Sequence, residues 1–117
     1  MNTVRWLLFD WGDTLMADLP GMQGPMSSWT EIAAMPGTAE TLPELSARFP
    51  CVVVSNAGDS DAPEMRRALD LVGLGQYFRR FFTSKELGAR KPDPAFFRAA
   101  LRALDCPPEV ACMIGND

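Results

Sequence analysis

Histidine is absent from the 117-residue chain, and cysteine is scarce. Without imidazole, histidine-based catalytic triads and histidine-ligated metal sites are excluded. Proton transfer by this protein therefore falls to Asp, Glu or Lys side chains. The cysteines are odd in number, at positions 51, 106 and 112. Since Cys51 and Cys112 fall in predicted strands, we expect both to be buried, reduced thiols, and we predict a cytoplasmic location.

Long apolar runs and an excess of basic residues are also missing. No run approaches the roughly 20 residues that a bilayer-spanning helix needs, and the first residues lack a signal-peptide pattern. A formal net charge of −4 argues against a nucleic-acid partner, because nucleic-acid-binding proteins usually present a basic face. The apolar content of 47% is typical of a globular protein. We therefore predict one domain over residues 1–117, with neither a membrane nor a nucleic-acid partner.

Short apolar, β-branched runs alternate along the chain with segments of helical periodicity. Strands are predicted at residues 4–10, 51–55, 80–84 and 110–114. Helices are predicted at residues 38–47, where Pro43 favours a kink or an early end, from about residue 61 to 72, and from Pro94, with Asp93 as its N-cap. This alternation predicts an α/β fold, a doubly wound parallel sheet with helices on both faces.

Residues 16–35 are rich in Met, Pro and Gly, a composition typical of a loop. We predict a covering loop with one helical turn near residues 28–34. Its large apolar side chains, Met22, Met26, Trp29 and Met35, are suited to pack onto the domain. Two interpretations stay open, an adaptable Met-lined contact surface and plain core filling beneath a long loop.

Chemically active side chains follow the predicted strands. Asp10, Ser55 and Asp117 come at or just after strand ends, and Lys91 follows the third strand. The carboxyl ends of parallel strands meet at one edge of a sheet, so we expect these groups to converge. Two carboxylates suit Mg²⁺, while the lysine, the hydroxyl and the amide of Asn56 suit an anion held beside it. The pattern indicates phosphoryl chemistry with an aspartate nucleophile.

Four motifs occur in order at these strand ends. They read Phe-Asp-Trp-Gly-Asp-Thr-Leu at 9–15, Val-Val-Val-Ser-Asn at 52–56, Lys-Pro-Asp-Pro-Ala-Phe-Phe at 91–97 and Met-Ile-Gly-Asn-Asp at 113–117. Together they resemble motifs I to IV of the haloacid dehalogenase-like (HAD) hydrolase superfamily over nearly the whole chain. The resemblance implies a Rossmann-like core and Mg²⁺-dependent hydrolysis of a small phosphorylated or other anionic substrate through an aspartyl nucleophile.

The resemblance also implies catalytic and metal-binding roles. Asp10 is implied as nucleophile and magnesium ligand, with Lys91 steadying both Asp10 and the phosphoryl group. The carbonyl of Gly12 and the carboxylate of Asp117 are the other implied ligands. Family phosphatases read Asp-x-Asp-Gly-Thr, and the second Asp is the general acid; here Gly12 stands in that position and Asp13 follows. Either Asp13 supplies the acid, or the acid is missing.

The phosphoryl-binding residues implied by the resemblance are Thr14, Ser55, Asn56 and Lys91. Family members select substrates with a cap, but residues 16–35 and the single helix after the second motif leave no room for a full cap domain. We therefore expect an open site, and the sequence does not identify the substrate.

The family core normally continues past the fourth motif, whereas this chain stops at Asp117. We therefore expect weak or absent turnover and an exposed edge at the fourth strand. That edge, or the Met-rich loop, is the expected surface for a homo-oligomer.

Other functions also fit parts of the pattern. A catalytically impaired, HAD-derived binding or assembly module is favoured by Gly12 in the acid position. A flavodoxin-like or receiver domain also has acidic strand ends on a parallel sheet, but the Ser55-Asn56 pair and Lys91-Pro92 match the hydrolase pattern better. Taken alone, Asp10 and Asp13 fit an Asx turn as well as they fit a site.

Overall fold

The computed structural model describes residues 4–17, 22, 24–29, 32–56, 61–91 and 93–115. Within these residues, four strands form one sheet: β1 (Trp6–Phe9), β2 (Cys51–Ser55), β3 (Arg80–Thr83) and β4 (Ala111–Ile114). The strand order is β3-β2-β1-β4, and each neighbouring pair is parallel. The chain therefore moves outward from β1 through β2 to β3 and then crosses back to the other side of β1. This order confirms the predicted doubly wound parallel sheet.

Helices connect the strands. The described helices are α1 (Thr38–Arg48), α2 (Ala62–Leu71), the short α3 (Ser84–Leu87) and α4 (Pro94–Ala103). Asp61 begins α2 in a capping box with Glu64, and Asp93 caps α4 by accepting the Ala95 N–H at 2.9 Å. Although Pro43 lies within α1, the helix continues to Arg48. No helix in the described ranges has the length and apolar character that crossing a bilayer requires.

Side chains of the two central strands alternate between two cores. The core that α1 and α2 share contains Leu7, Phe9, Leu42, Val53 and Leu69. The core on the opposite face, beneath α4, contains Leu8, Val52, Val54, Phe96 and Ala100. All five residues of β2 are buried, as a central strand covered on both faces requires. Helices therefore cover both faces of the sheet, as the sequence predicts.

The described parts of the covering loop pack onto the α1 and α2 core. Met16 is fully buried and forms main-chain bridges to Gly12 and Ala34. Met26 is also buried, and Trp29 packs against the same core while its Nε1–H donates to the Gly24 carbonyl at 3.0 Å. These side chains fill space beneath the loop, which agrees with the core-filling interpretation.

The helical turn in this loop begins earlier than predicted. A 3-10 turn occupies Met26–Ser28, and Trp29 is already extended, whereas the sequence analysis placed the turn near 28–34. The Ser28 hydroxyl donates to the Pro25 carbonyl at 2.7 Å and closes the turn on itself. Ala34 is held in a bridge to Met16. Residues 30 and 31 lie outside the described part of the chain; at Ala34, pairing with Met16 keeps the main chain out of a helical turn.

The edge strand β4 is less buried than the other strands. In the described part of the chain it pairs with β1 alone, and Met113 is 44% exposed. Cys51 is buried as expected, but the expectation for Cys112 was wrong, because this thiol is exposed. The physical reason is position: a strand side chain is buried only where another layer covers it, and an edge strand has a neighbour on one side only.

Truncation of Leu69 tests which face of α2 is buried. Leu69 is fully buried, whereas Leu71 in the same helix is 61% exposed. We expect Leu69→Ala to lower the free energy of unfolding by about 2–5 kcal/mol, because it opens a cavity. The matched control Leu71→Ala should change it by no more than about 0.5 kcal/mol. Urea denaturation followed by circular dichroism measures both, and equal losses would contradict this packing.

Thiol chemistry tests the burial of Cys51. Burial raises the pKa of the Cys51 thiol to about 11, although the Arg79 charge partly opposes this. We expect iodoacetamide at about pH 8 to modify Cys112 in the native protein and Cys51 only after urea is added.

The raised pKa of Cys51 also predicts a pH dependence of stability. The unfolded chain loses the Cys51 thiol proton at lower pH than the folded protein does, so the free energy of unfolding should fall between about pH 9 and 11. In Cys51→Ala, the free energy of unfolding should depend less on pH in this range. Rapid alkylation of Cys51 in the native protein would contradict its burial.

Candidate active site

Asp10 follows β1 directly and is buried, with 8% of its surface exposed. Its main-chain N–H donates to the Ile114 carbonyl of β4 at 2.9 Å, which continues the sheet pairing through this residue. Its Oδ1 accepts the Trp11 N–H at 2.8 Å. A buried carboxylate needs compensating donors, and the main chain after the strand supplies one of them.

The ammonium group of Lys91 supplies the compensating charge. Lys91 Nζ donates to Asp10 Oδ1 at 2.8 Å, across 81 positions of sequence. The two side chains are only 13% and 11% exposed, so their attraction is weakly screened by water. The same ammonium lies 5.8 Å from the ring centroid of Phe96. The structure thus brings together the two residues that the sequence analysis placed at the centre of the site.

The end of β2 reaches the same place. Residue pairing of Phe9 with Val53 sets the ends of β1 and β2 side by side. Ser55 is buried, with 9% of its surface exposed, and its hydroxyl donates to the Asn56 carbonyl at 3.1 Å. The side-chain amide of Asn56 contacts Lys91: Oδ1 accepts the Lys91 N–H at 2.7 Å, and Nδ2 donates to the Lys91 carbonyl at 3.3 Å.

The turn after β1 carries the inverted Gly-Asp order. Asp13 has a φ of 56°, and its N–H donates to the Met16 carbonyl at 2.7 Å. Aspartate tolerates this left-handed backbone better than most residues, because its short polar side chain can bond locally. Asp13 is exposed to solvent. At Gly12, an added Cβ would meet nothing within 4 Å, so the position of the family's acid has open space.

Gly115, at the end of β4, is a site residue that sequence reasoning missed. A Cβ placed there would lie 2.9 Å from Asp10 Cβ and 3.4 Å from Asp10 Oδ2. The glycine is required for space, because β4 passes directly against the Asp10 carboxylate. The sequence signal was present, since a glycine follows the fourth apolar run, but spacing alone could not show what it approaches.

Thr14 has a different environment. Its Oγ1 is buried and has no hydrogen-bond partner among the described residues. It lines a cavity of about 240 Å³ between the ends of β1 and β4 and the start of α1, with Phe9, Leu42 and Ile114 among its walls. The hydroxyl therefore contacts neither Asp10 nor Lys91 in this structure. An unpaired buried hydroxyl remains available to a bound group.

The predicted magnesium ligands are described in part. Asp10 Oδ2 takes no part in the contacts of Oδ1 with Trp11 and Lys91. Within the turn, the Trp11 and Met16 carbonyls accept the main-chain hydrogen bonds, and the Gly12 carbonyl accepts none of these bonds. Asp117 lies outside the described residues. No set of three acidic or cysteine side chains within the described ranges is placed to hold a metal. The donors that are described are oxygens, which fit a hard cation.

The chain matches a known protein family. The family model of the haloacid dehalogenase-like hydrolases matches residues 12–117. Glyceraldehyde 3-phosphate phosphatase of Methanothermobacter thermautotrophicus is 34% identical over 82 residues, which cover 69% of this chain and 35% of that protein. (S)-2-haloacid dehalogenase 4A of Burkholderia cepacia is 29% identical over 93 residues, which cover 79% of this chain and 39% of that protein. The chain therefore matches only about two fifths or less of the length of these relatives.

A solved structure shares the fold. An uncharacterized protein from Listeria monocytogenes serotype 4b superposes with a TM-score of 0.80 at 25% identity, over 97% of this chain and 67% of that one. The residues that the family model matches begin at Gly12 and include Asp13, the Ser55-Asn56 pair and Lys91. By sequence and by fold, the chain belongs to the haloacid dehalogenase-like hydrolases.

Proposed function

We propose that this protein is a Mg²⁺-dependent, cytoplasmic phosphohydrolase acting on a small phosphorylated substrate, with Asp10 as the nucleophile. The observation that carries the proposal is the 2.8 Å contact between Lys91 Nζ and Asp10 Oδ1 at the meeting point of the strand ends. An ammonium that is held beside a carboxylate can also donate a hydrogen bond to a phosphoryl oxygen of a bound substrate. Similarity to glyceraldehyde 3-phosphate phosphatase supports this choice of reaction.

Each residue would act on the phosphoryl group in a distinct way. Lys91 and the Ser55 hydroxyl would donate to its equatorial oxygens, together with the main-chain N–H of Asn56. Asp10 Oδ2 is outside the Oδ1 contacts, so it is the oxygen that would attack phosphorus. The bond to the leaving oxygen then breaks, and an aspartyl phosphate forms. Water would next attack that phosphorus, releasing inorganic phosphate and regenerating the Asp10 carboxylate. The Thr14 hydroxyl would contribute once its unpaired oxygen meets the bound group.

The oxygens that would hold Mg²⁺ are the Asp10 carboxylate, the Gly12 carbonyl and the Asp117 carboxylate. A bound Mg²⁺ would neutralise the negative charge that accumulates between nucleophile and phosphate.

Proton transfer to the leaving oxygen is assigned to Asp13 in this proposal. The turn exposes Asp13 to solvent, so a substrate can reach its carboxyl group. The open space at Gly12 offers a direct comparison, because a carboxylate can be installed in the position that family phosphatases use.

A second candidate function is hydrolytic dehalogenation of a small organic acid. It is favoured by Gly12, which leaves no carboxylate in the acid position, since a halide leaves without a proton. The similarity to a 2-haloacid dehalogenase points the same way. The same Asp10 carboxylate would attack carbon, expel the halide and form an ester that water hydrolyses. Release of chloride from a 2-chloro acid, with no phosphate released from a phosphate-ester panel, would favour this function.

Ligand-dependent stability tests the phosphoryl site without requiring turnover. Beryllium fluoride with Mg²⁺ resembles a phosphoryl group on an aspartate, and ligand that binds only the native state raises the Tm. We expect an increase of several degrees in the wild type and its loss in Asp10→Asn and Lys91→Met. The matched control is Lys85→Met, because Lys85 is exposed and lies in α3, outside the site. An equal increase in Asp10→Asn would contradict the proposed nucleophile.

Leaving-group dependence tests the acid. If Asp13 protonates the leaving oxygen, Asp13→Asn should lower kcat/KM for an alkyl phosphate by about 10²–10⁴. The loss for p-nitrophenyl phosphate should be small, because nitrophenolate leaves without a proton. Gly12→Asp should restore alkyl phosphate hydrolysis in the Asp13→Asn background. Equal rates for Asp13→Asn and wild type on both substrates would remove Asp13 from the mechanism.

A further inference from the structure

Lys91 depends on its surroundings to keep its ammonium beside Asp10. It lies in the turn between α3 and α4, where the Asp93 N–H donates to the Arg90 carbonyl at 2.9 Å. Its side chain is a four-carbon stem of limited reach, so Nζ contacts Asp10 at 2.8 Å only when the main chain lies within that reach. A turn that is joined to the sheet only through its flanking helices would leave that main chain poorly determined. Something must tie the Lys91 peptide to the strand ends.

The side chain of Asn56 makes that connection at two points. Its Oδ1 accepts the Lys91 N–H at 2.7 Å, and its Nδ2 donates to the Lys91 carbonyl at 3.3 Å. A carboxamide is suited to this, because it carries both an acceptor and a donor at its end. The contact resembles the exchange of hydrogen bonds between neighbouring strands, with a side chain in place of one of them. Asn56 follows β2 directly, so the turn is tied to the rigid sheet.

We propose that the Asn56 side chain is a positioning residue that holds the Lys91 main chain so that Nζ reaches Asp10. Both the oxygen and the nitrogen of its amide group are engaged by Lys91, so in this proposal it acts on the reaction through that lysine. The catalytic part of this inference rests on the proposed function; the positioning part concerns the ion pair and stands apart from it. This role is separate from that of the Asn56 main-chain N–H, which remains assigned to the phosphoryl group.

Hydrogen exchange tests the tie directly. The chain contains two lysines, at positions 85 and 91, so labelling with [¹⁵N]lysine gives two main-chain amide signals. In Asn56→Ala we expect the Lys91 amide to lose its protection, while the Lys85 amide, which donates to Thr83 Oγ1 at 3.3 Å, keeps its own rate. Asn56→Asp retains an acceptor for the Lys91 N–H and should retain its protection. Unchanged protection of Lys91 in Asn56→Ala would overturn the proposal.

Competitive acetylation tests whether the Lys91 ammonium stays at Asp10, because it measures how accessible that group is relative to Lys85. In the wild type, Lys91 should react more slowly than exposed Lys85, because its side chain is 13% exposed and contacts Asp10. Loss of the tie should raise the Lys91-to-Lys85 ratio in Asn56→Ala. In Asn56→Asp the ratio should lie between those of Asn56→Ala and the wild type. A ratio that stays at the wild-type value in Asn56→Ala would show that the ammonium is held without Asn56, and would also overturn the proposal.

A double-mutant cycle separates positioning from a direct contact with substrate. Misplacing a reacting group by about 1 Å can cost about 10²-fold, so we expect Asn56→Ala to lower kcat/KM for p-nitrophenyl phosphate by up to that factor. In a Lys91→Met background the same substitution should have no further effect. If the kcat/KM losses of Asn56→Ala and Lys91→Met instead multiply in the double variant, the Asn56 side chain acts on the substrate directly, which would overturn the positioning role. If no hydrolysis is detected but exchange and acetylation behave as expected, the proposed function fails while the positioning role stands.

Discussion

The contact between Lys91 and Asp10 is the interaction around which this structure is arranged. It joins the first strand to a turn 81 residues later, and it places opposite charges together where little water reaches them. Removing one partner of such a pair leaves an uncompensated buried charge, which is strongly destabilising. The pair is therefore a constraint on the fold as well as a chemical feature. The crossovers from β1 to β2 and from β2 to β3 must both form for these two side chains to meet.

The sheet topology is what makes the meeting possible. With the order β3-β2-β1-β4, the strand that Asp10 follows is central, and its neighbours end beside it. On one side, Ser55 ends β2 and Asn56 follows it, and the Asn56 side chain is hydrogen-bonded to the Lys91 main chain. On the other side, β4 passes so close to Asp10 that only glycine fits at position 115. The carboxylate of Asp10 is thus enclosed by main chain and by one cation. Such a rigid surround suits the proposed role of Asp10, which requires attack along a defined line.

Much of this arrangement was predictable from residues alone. β-branched runs such as 51–55 marked strands, and Asp93 marked a helix start, because strand burial and helix capping are local requirements. The exposure of Cys112 and the position of the turn at Met26–Ser28 could not be predicted from the sequence, because each depends on which other element lies nearby. The double contact of Asn56 with Lys91 was equally hidden, since nothing in a sequence pairs a side chain with a peptide 35 positions away.

The sequence by itself determined the family, the alternation of strands and helices, and the identity of the groups that follow each strand, because these depend on composition and on the order of motifs. Only the tertiary structure decided how those groups are used. It showed that the Asn56 amide is turned to Lys91, that Gly115 is needed for space beside Asp10, and that the buried Thr14 Oγ1 has no hydrogen-bond partner among the described residues. The physical reason is that a residue's type sets what it can bond to, whereas its partners are set by packing between distant segments.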